Sequence, residues 1–77
     1  MKIATLEFIH SMLLDEVRTR EGMKKYAAEN MNKAREQYDD KVISKAKYEK
    51  AVEVYDKHYA LYSTAKSALD DFEEQDF

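Results

Sequence analysis

The chain reads as an all-α antiparallel helical hairpin, and three features of the sequence predict this. Proline is absent and there is one glycine, so the corners of a β-rich or turn-rich fold have nothing to be built from. Hydrophobic residues make up 44% of the chain and charged residues 38%, the balance of long amphipathic helices. Apolar residues then recur at helical spacing almost from end to end. At 77 residues the sequence has room for one domain, taken as residues 1–77.

The first element is expected near residues 3–39. Its apolar stripe runs Leu6, Ile9, Leu13, Val17, then Ala27, Met31, Ala34 and Tyr38. Gly22 is the one residue that could interrupt it, because an interior glycine costs about 1 kcal/mol against alanine. No proline, cap cluster or polar loop accompanies that glycine. The pairs Glu16–Arg20, Glu21–Lys25 and Glu29–Lys33 are spaced i,i+4 in the favourable order, and the middle one straddles Gly22. A continuous helix is therefore the reading.

The spacing breaks at Asp39-Asp40-Lys41-Val42-Ile43-Ser44, where Ser44 is placed to cap the N-terminus of a second helix near residues 45–74. Its stripe is Tyr48, Ala51, Val52, Tyr55, Tyr59, Tyr62, Leu69 and Phe72. Asp39 and Asp40 end one helix and Lys45 and Lys47 begin the next, each the wrong sign for its helix dipole, so pairing across the turn is expected. With the turn centred on Lys41, facing residues have numbers summing to about 82 in a tight antiparallel pair. Leu13 then faces Leu69, Val17 faces Ala65, Ala27 faces Tyr55 and Ala34 faces Tyr48, large against small. Arg20 falls opposite Tyr62, where a guanidinium can lie on the ring.

That seam leaves apolar surface over. Phe8, Met12 and Tyr26 lie off the first stripe on one flank, Leu14 and Ile3 on the other. Val54, Leu61, Ala68 and Phe72 make a second stripe on the second helix. The combined arc is roughly twice the 100° or so that one neighbour covers. Two hairpins forming a twofold four-helix bundle would cover it. The residues expected to carry self-association are Phe8, Met12, Leu14, Val54, Leu61 and Phe72. The six tyrosines, at helical spacing, are read as core or interface residues with their hydroxyls at the rim.

Little in the sequence points to catalysis. Cysteine is absent, which removes disulfides and thiolate metal sites as remedies for a small core. Glu7-Phe8-Ile9-His10 has the Glu-x-x-His form used in di-iron bundles, and the hairpin would bring Asp70, Asp71, Glu73 and Glu74 to the same end. The motif sits near the chain terminus with no evident supporting shell, so His10 is read instead as a partly buried interface histidine. His58 faces the region of Lys24, far from His10. Ser11, Ser63, Thr64 and Ser67 have no histidine and acid arranged to activate them. No Gly-rich phosphate loop or zinc spacing occurs. A non-enzyme with no metal and no cofactor is expected.

Net charge is −3, which disfavours nucleic acid or an anionic membrane as partner. No leader is predicted, since Met1-Lys2-Ile3 runs straight into a stripe broken by Glu7, His10 and Asp15. No apolar run reaches the roughly 18 residues of a membrane span, and a soluble cytoplasmic protein is expected. Asp70, Asp71, Glu73, Glu74 and Asp76 form an acidic end that could dock a basic partner, as an inhibitor does when it imitates nucleic acid.

In outline the hairpin resembles small helical secretion partners, the WXG100-like proteins among them, whose aromatic-x-x-x-acid signal has the form of Phe72-Glu73-Glu74-Gln75-Asp76. That resemblance implies a secretion-associated helical-hairpin partner that binds another protein. The Trp-x-Gly turn of those proteins is missing, as the chain has no tryptophan and its turn no glycine. The stretch from Tyr38 to Tyr48 is similar in shape to the hairpin turns of periplasmic adaptor coiled coils. The expected function is that of a small interaction protein working through helix faces, as a homodimer or with another helical or basic protein.

Overall fold

A computed structural model describes residues 3–75. Two helices account for nearly all of them: α1, Ile3–Asp39, and α2, Lys45–Glu74, packed against each other as an antiparallel hairpin. The α1 helix passes through Gly22 without a break. At 1.5 Å per residue its 37 residues make a rod of about 55 Å, and the molecule measures 58 × 14 × 13 Å. No helix among the described residues is long and apolar enough to cross a membrane.

The turn is built from backbone hydrogen bonds. The Lys41 N–H donates to the Tyr38 carbonyl at 3.0 Å and the Val42 N–H to the Gln37 carbonyl at 2.7 Å, the paired bonds of a Schellman motif. The residue between those two donors must be left-handed, and Lys41 is, with φ of 61°. A lysine does the work usually given to glycine. Ser44 then opens α2 from extended backbone (φ −76°, ψ 160°), its Oγ accepting from the Lys47 N–H at 3.3 Å. The expected pairing across the turn does not form: among the described residues no ion pair joins Asp39 or Asp40 to Lys45 or Lys47. Lys45 reaches along its own helix to Glu49 instead, at 3.8 Å.

Burial follows a strict heptad, the seven-residue repeat a to g that keeps one stripe of each helix on its partner. In α1 the seam is Leu6, His10, Leu13, Val17, Arg20, Lys24, Ala27, Met31, Ala34 and Tyr38 (d and a in alternation). In α2 it is Tyr48, Ala51, Tyr55, His58, Tyr62, Ala65, Leu69 and Phe72. Each of these is buried or half-buried except Tyr38 at the turn. Its ring stacks on Tyr48 with centroids 5.4 Å apart.

Register is as expected at the open end, where His10 lies over Phe72 at 5.7 Å. Further in, it is Lys24 and not Arg20 that covers Tyr62, its Nζ 4.1 Å from the ring centroid. Arg20 turns along α1 to Glu16 at 2.7 Å. The non-helical linker runs from Asp40 to Ser44 and so centres on Val42, one residue beyond Lys41, which sets Tyr62 level with Gly22, between Arg20 and Lys24. Ile9 and Tyr59, placed in the seam stripes from sequence, lie beside the seam; Tyr59 is 51% exposed.

The seam makes a thin core. Only Val17, Ala27, Ala34 and Leu69 are buried among the described residues, and two of the four are alanines. The radius of gyration is 17.4 Å, whereas a compact chain of this length would have about 11–12 Å. The accessible surface is 6125 Å², and a compact protein of 9.1 kDa would expose about 4,900 Å².

Candidate self-association face

Two antiparallel helices in heptad contact have two lateral sides. On one side the g positions of both helices meet, on the other the e positions. Here the e side is formed by Glu7, Leu14, Glu21, Ala28 and Arg35 of α1 with Lys45, Val52, Tyr59, Lys66 and Glu73 of α2. It is rich in charge, and Glu21, Lys45, Lys66 and Glu73 have partners. Glu21 pairs with Lys25 at 3.5 Å. Lys66 donates to Asp70 at 3.0 Å; that hydrogen bond and the carboxylate's charge raise the ammonium above its ordinary value. Lys24 reaches toward Tyr59 at 5.7 Å as well as Tyr62.

The g side has a different character. In α1 it carries Ile9, Glu16, Met23, Asn30 and Gln37, in α2 Lys47, Val54, Leu61, Ala68 and Gln75. Coiled coils commonly place Glu and Lys at g. Here Ile9, Met23, Val54, Leu61 and Ala68 stand there, and only Glu16 and Lys47 are charged. Counting outward from Val42, Met23 falls level with Leu61, Glu16 with Ala68, and Asn30 with Val54. Met23 is 41% exposed and Val54 43%, while Leu61 is half-buried. Glu16 is held by Arg20, which leaves the centre of this side apolar.

The six residues expected to form the interface separate on this frame. Val54 and Leu61 are on the g side. Met12, 56% exposed, is at the adjoining c position, within reach of the same side. Phe8, 65% exposed, is on the back of α1 at f, and Leu14 is on the e side. Phe72 belongs to the seam itself, stacked on His10. Met23 was not singled out by sequence reasoning, although its place one heptad before Asn30 and one after Glu16 would have identified it once the seam was known.

At the open end Leu6, Glu7, His10, Phe72, Glu73 and Gln75 line a concavity of about 380 Å³. His10 Nε2 lies 3.1 Å from Glu73 Oε2. Among the described residues no group of three or more histidines and carboxylates is placed to hold a metal ion. Asp70 bonds Lys66, and Asp71 and Glu74 are exposed on α2; Asp76 lies outside the described residues. In the middle of the seam, His58 Nδ1 is buried without a hydrogen-bond partner.

The arrangement defines an all-α helical hairpin with one charged side and one apolar side. Compared with protein-family models, with curated proteins and with solved structures, the chain matches none.

Proposed function

We propose that this chain is a non-catalytic helical interaction module that associates with itself. The observation that carries the reading is the surface left uncovered. The hairpin exposes about 1,200 Å² more than a compact protein of its mass and buries only four side chains among the described residues. A chain below about 80 residues seldom gains more than a few kcal/mol from its own core. With no cysteine for a disulfide, a second set of helices is the remedy that remains.

Two physical points support the same reading. Medium and large apolar side chains stand exposed on both helices: Ile3, Phe8, Met12, Met23, Tyr26, Val54 and Tyr59 among them. Scattered singly they would mean little, but Met12 and Tyr26 share position c, Met23 and Val54 share position g, and those two positions adjoin on a helix. Folding linked to association makes the unfolding midpoint rise with protein concentration. Thermal melts followed by circular dichroism over a hundredfold range of concentration test this. A midpoint that rises with concentration supports the module; an invariant midpoint with a cooperative transition opposes it.

A second reading, docking to a basic protein, draws on the open end. Among the described residues there, Glu7, Asp15, Asp70, Asp71, Glu73 and Glu74 stand against Lys66 alone. That reading predicts binding that weakens steeply with salt and is lost on truncation after Leu69.

A further inference from the structure

We infer that the partner is a second copy packed against the g side with its turn at the opposite end, giving an antiparallel four-helix bundle. This rests on the self-association reading above and adds to it a face and an orientation.

The face follows from what the two sides offer. The e side carries six charged residues, Glu7, Glu21, Arg35, Lys45, Lys66 and Glu73, against Glu16 and Lys47 on the g side, and taking charge out of water is costly. The g side offers Met23 and Leu61 at mid-height, with Val54 and Ala68 to either side and Met12 at the rim. The side outlines at most about 800 Å² (58 Å by 14 Å), so contact along nearly its whole length is needed to reach the area each partner contributes to a standard stable interface.

The orientation follows from charge. Among the described residues the open end, residues 3–15 and 66–75, has a formal charge of −5: the six acids named above against Lys66. The turn end, residues 33–50, has a formal charge of +2, with Lys33, Arg35, Lys41, Lys45, Lys47 and Lys50 against Glu36, Asp39, Asp40 and Glu49. With both turns at one end, two acidic ends would lie side by side. Reversing one hairpin sets each acidic end on a basic one. A twofold axis through the Met23–Leu61 layer, close to the midpoint of α1, then brings the Glu16–Ala68 layer onto the Asn30–Val54 layer of the second copy.

Two measurements test the proposal. The chain has no cysteine, and Val42 is 69% exposed in the turn, so Val42→Cys accepts a single spin label outside both helices. The label-to-label distance should be roughly 55–60 Å in the antiparallel dimer, from the helical rise of 1.5 Å per residue. A distance under about 25 Å, with the turns together, would overturn the orientation. For the face, Leu61→Asp should abolish the dimer at concentrations where Tyr59→Asp leaves it intact. Loss of the dimer with Tyr59→Asp would overturn the assignment of the g side. Circular dichroism separates dissociation from unfolding of Leu61→Asp, and the label distance stands whichever occurs. A monomeric parent chain would remove self-association itself, a failure distinct from the wrong face or orientation.

Discussion

At the scale of single residues the hairpin contains two positions that oppose it, and both are correctable. Gly22 occupies an outward-facing f position of α1, and a Cβ built there meets nothing within 4 Å. The helix continues through it because the neighbours on either side supply the packing. Gly22→Ala should therefore raise stability by about 1 kcal/mol, read from urea unfolding, without altering the oligomer. Lys41 is left-handed at φ 61°, where an L-residue with a Cβ is strained by about 1 kcal/mol or more. Lys41→Gly should stabilise by an amount approaching that, as far as relief of strain exceeds the added freedom of the unfolded glycine. Lys41→Val should do the reverse. The turn was legible in the sequence as a break in spacing, but its type was not, because a Schellman motif without glycine carries no compositional sign. Which cation would cover Tyr62 was equally hidden: Arg20 and Lys24 both occupy seam positions, and Arg20 is held along its own helix by Glu16 while Lys24 reaches the ring.

At the scale of the element, both helices were readable because period and composition agree over more than four turns, and Ser44 marks the start of α2 as expected. The sequence was less decisive about which side of each helix a residue serves. Ile9 and Tyr59 lie one heptad position from the seam, an angular difference that residue-by-residue counting blurs once the stripe drifts around a straight helix. Met23 escaped notice for the same reason. The seam itself is economical: small residues let the two backbones approach, and Leu69 is the one large side chain fully committed to it, at 4% exposure. Leu69→Ala should cost about 2–3 kcal/mol, at the low end for buried leucines because a narrow two-helix seam can close around the vacancy. The change in urea midpoint checks it.

At the scale of the whole molecule, the shape is what the proposal of a partner rests on. A rod of 58 × 14 × 13 Å has no interior deep enough to bury a large side chain completely, and no described residue is buried to that degree. The two ends also differ in charge, acidic where the chain begins and ends, basic at the turn. That dipole gives the antiparallel assembly a salt dependence of definite sign. Raising ionic strength should weaken the dimer a few-fold, because the attraction between unlike ends is screened while apolar burial is retained. A parallel assembly, with like ends together, should tighten instead. Sedimentation equilibrium across a salt series reads the difference. Composition announced the surplus of apolar surface, whereas its concentration on the g side required the seam to be located first.

The central claim is that the hairpin completes its core with a second copy, and the mass in solution tests it most directly. Light scattering behind size exclusion should give twice the 9.1 kDa of the chain, close to 18 kDa, at micromolar concentration. A uniform, fully helical species of 9.1 kDa, unchanged on concentration, would contradict the account.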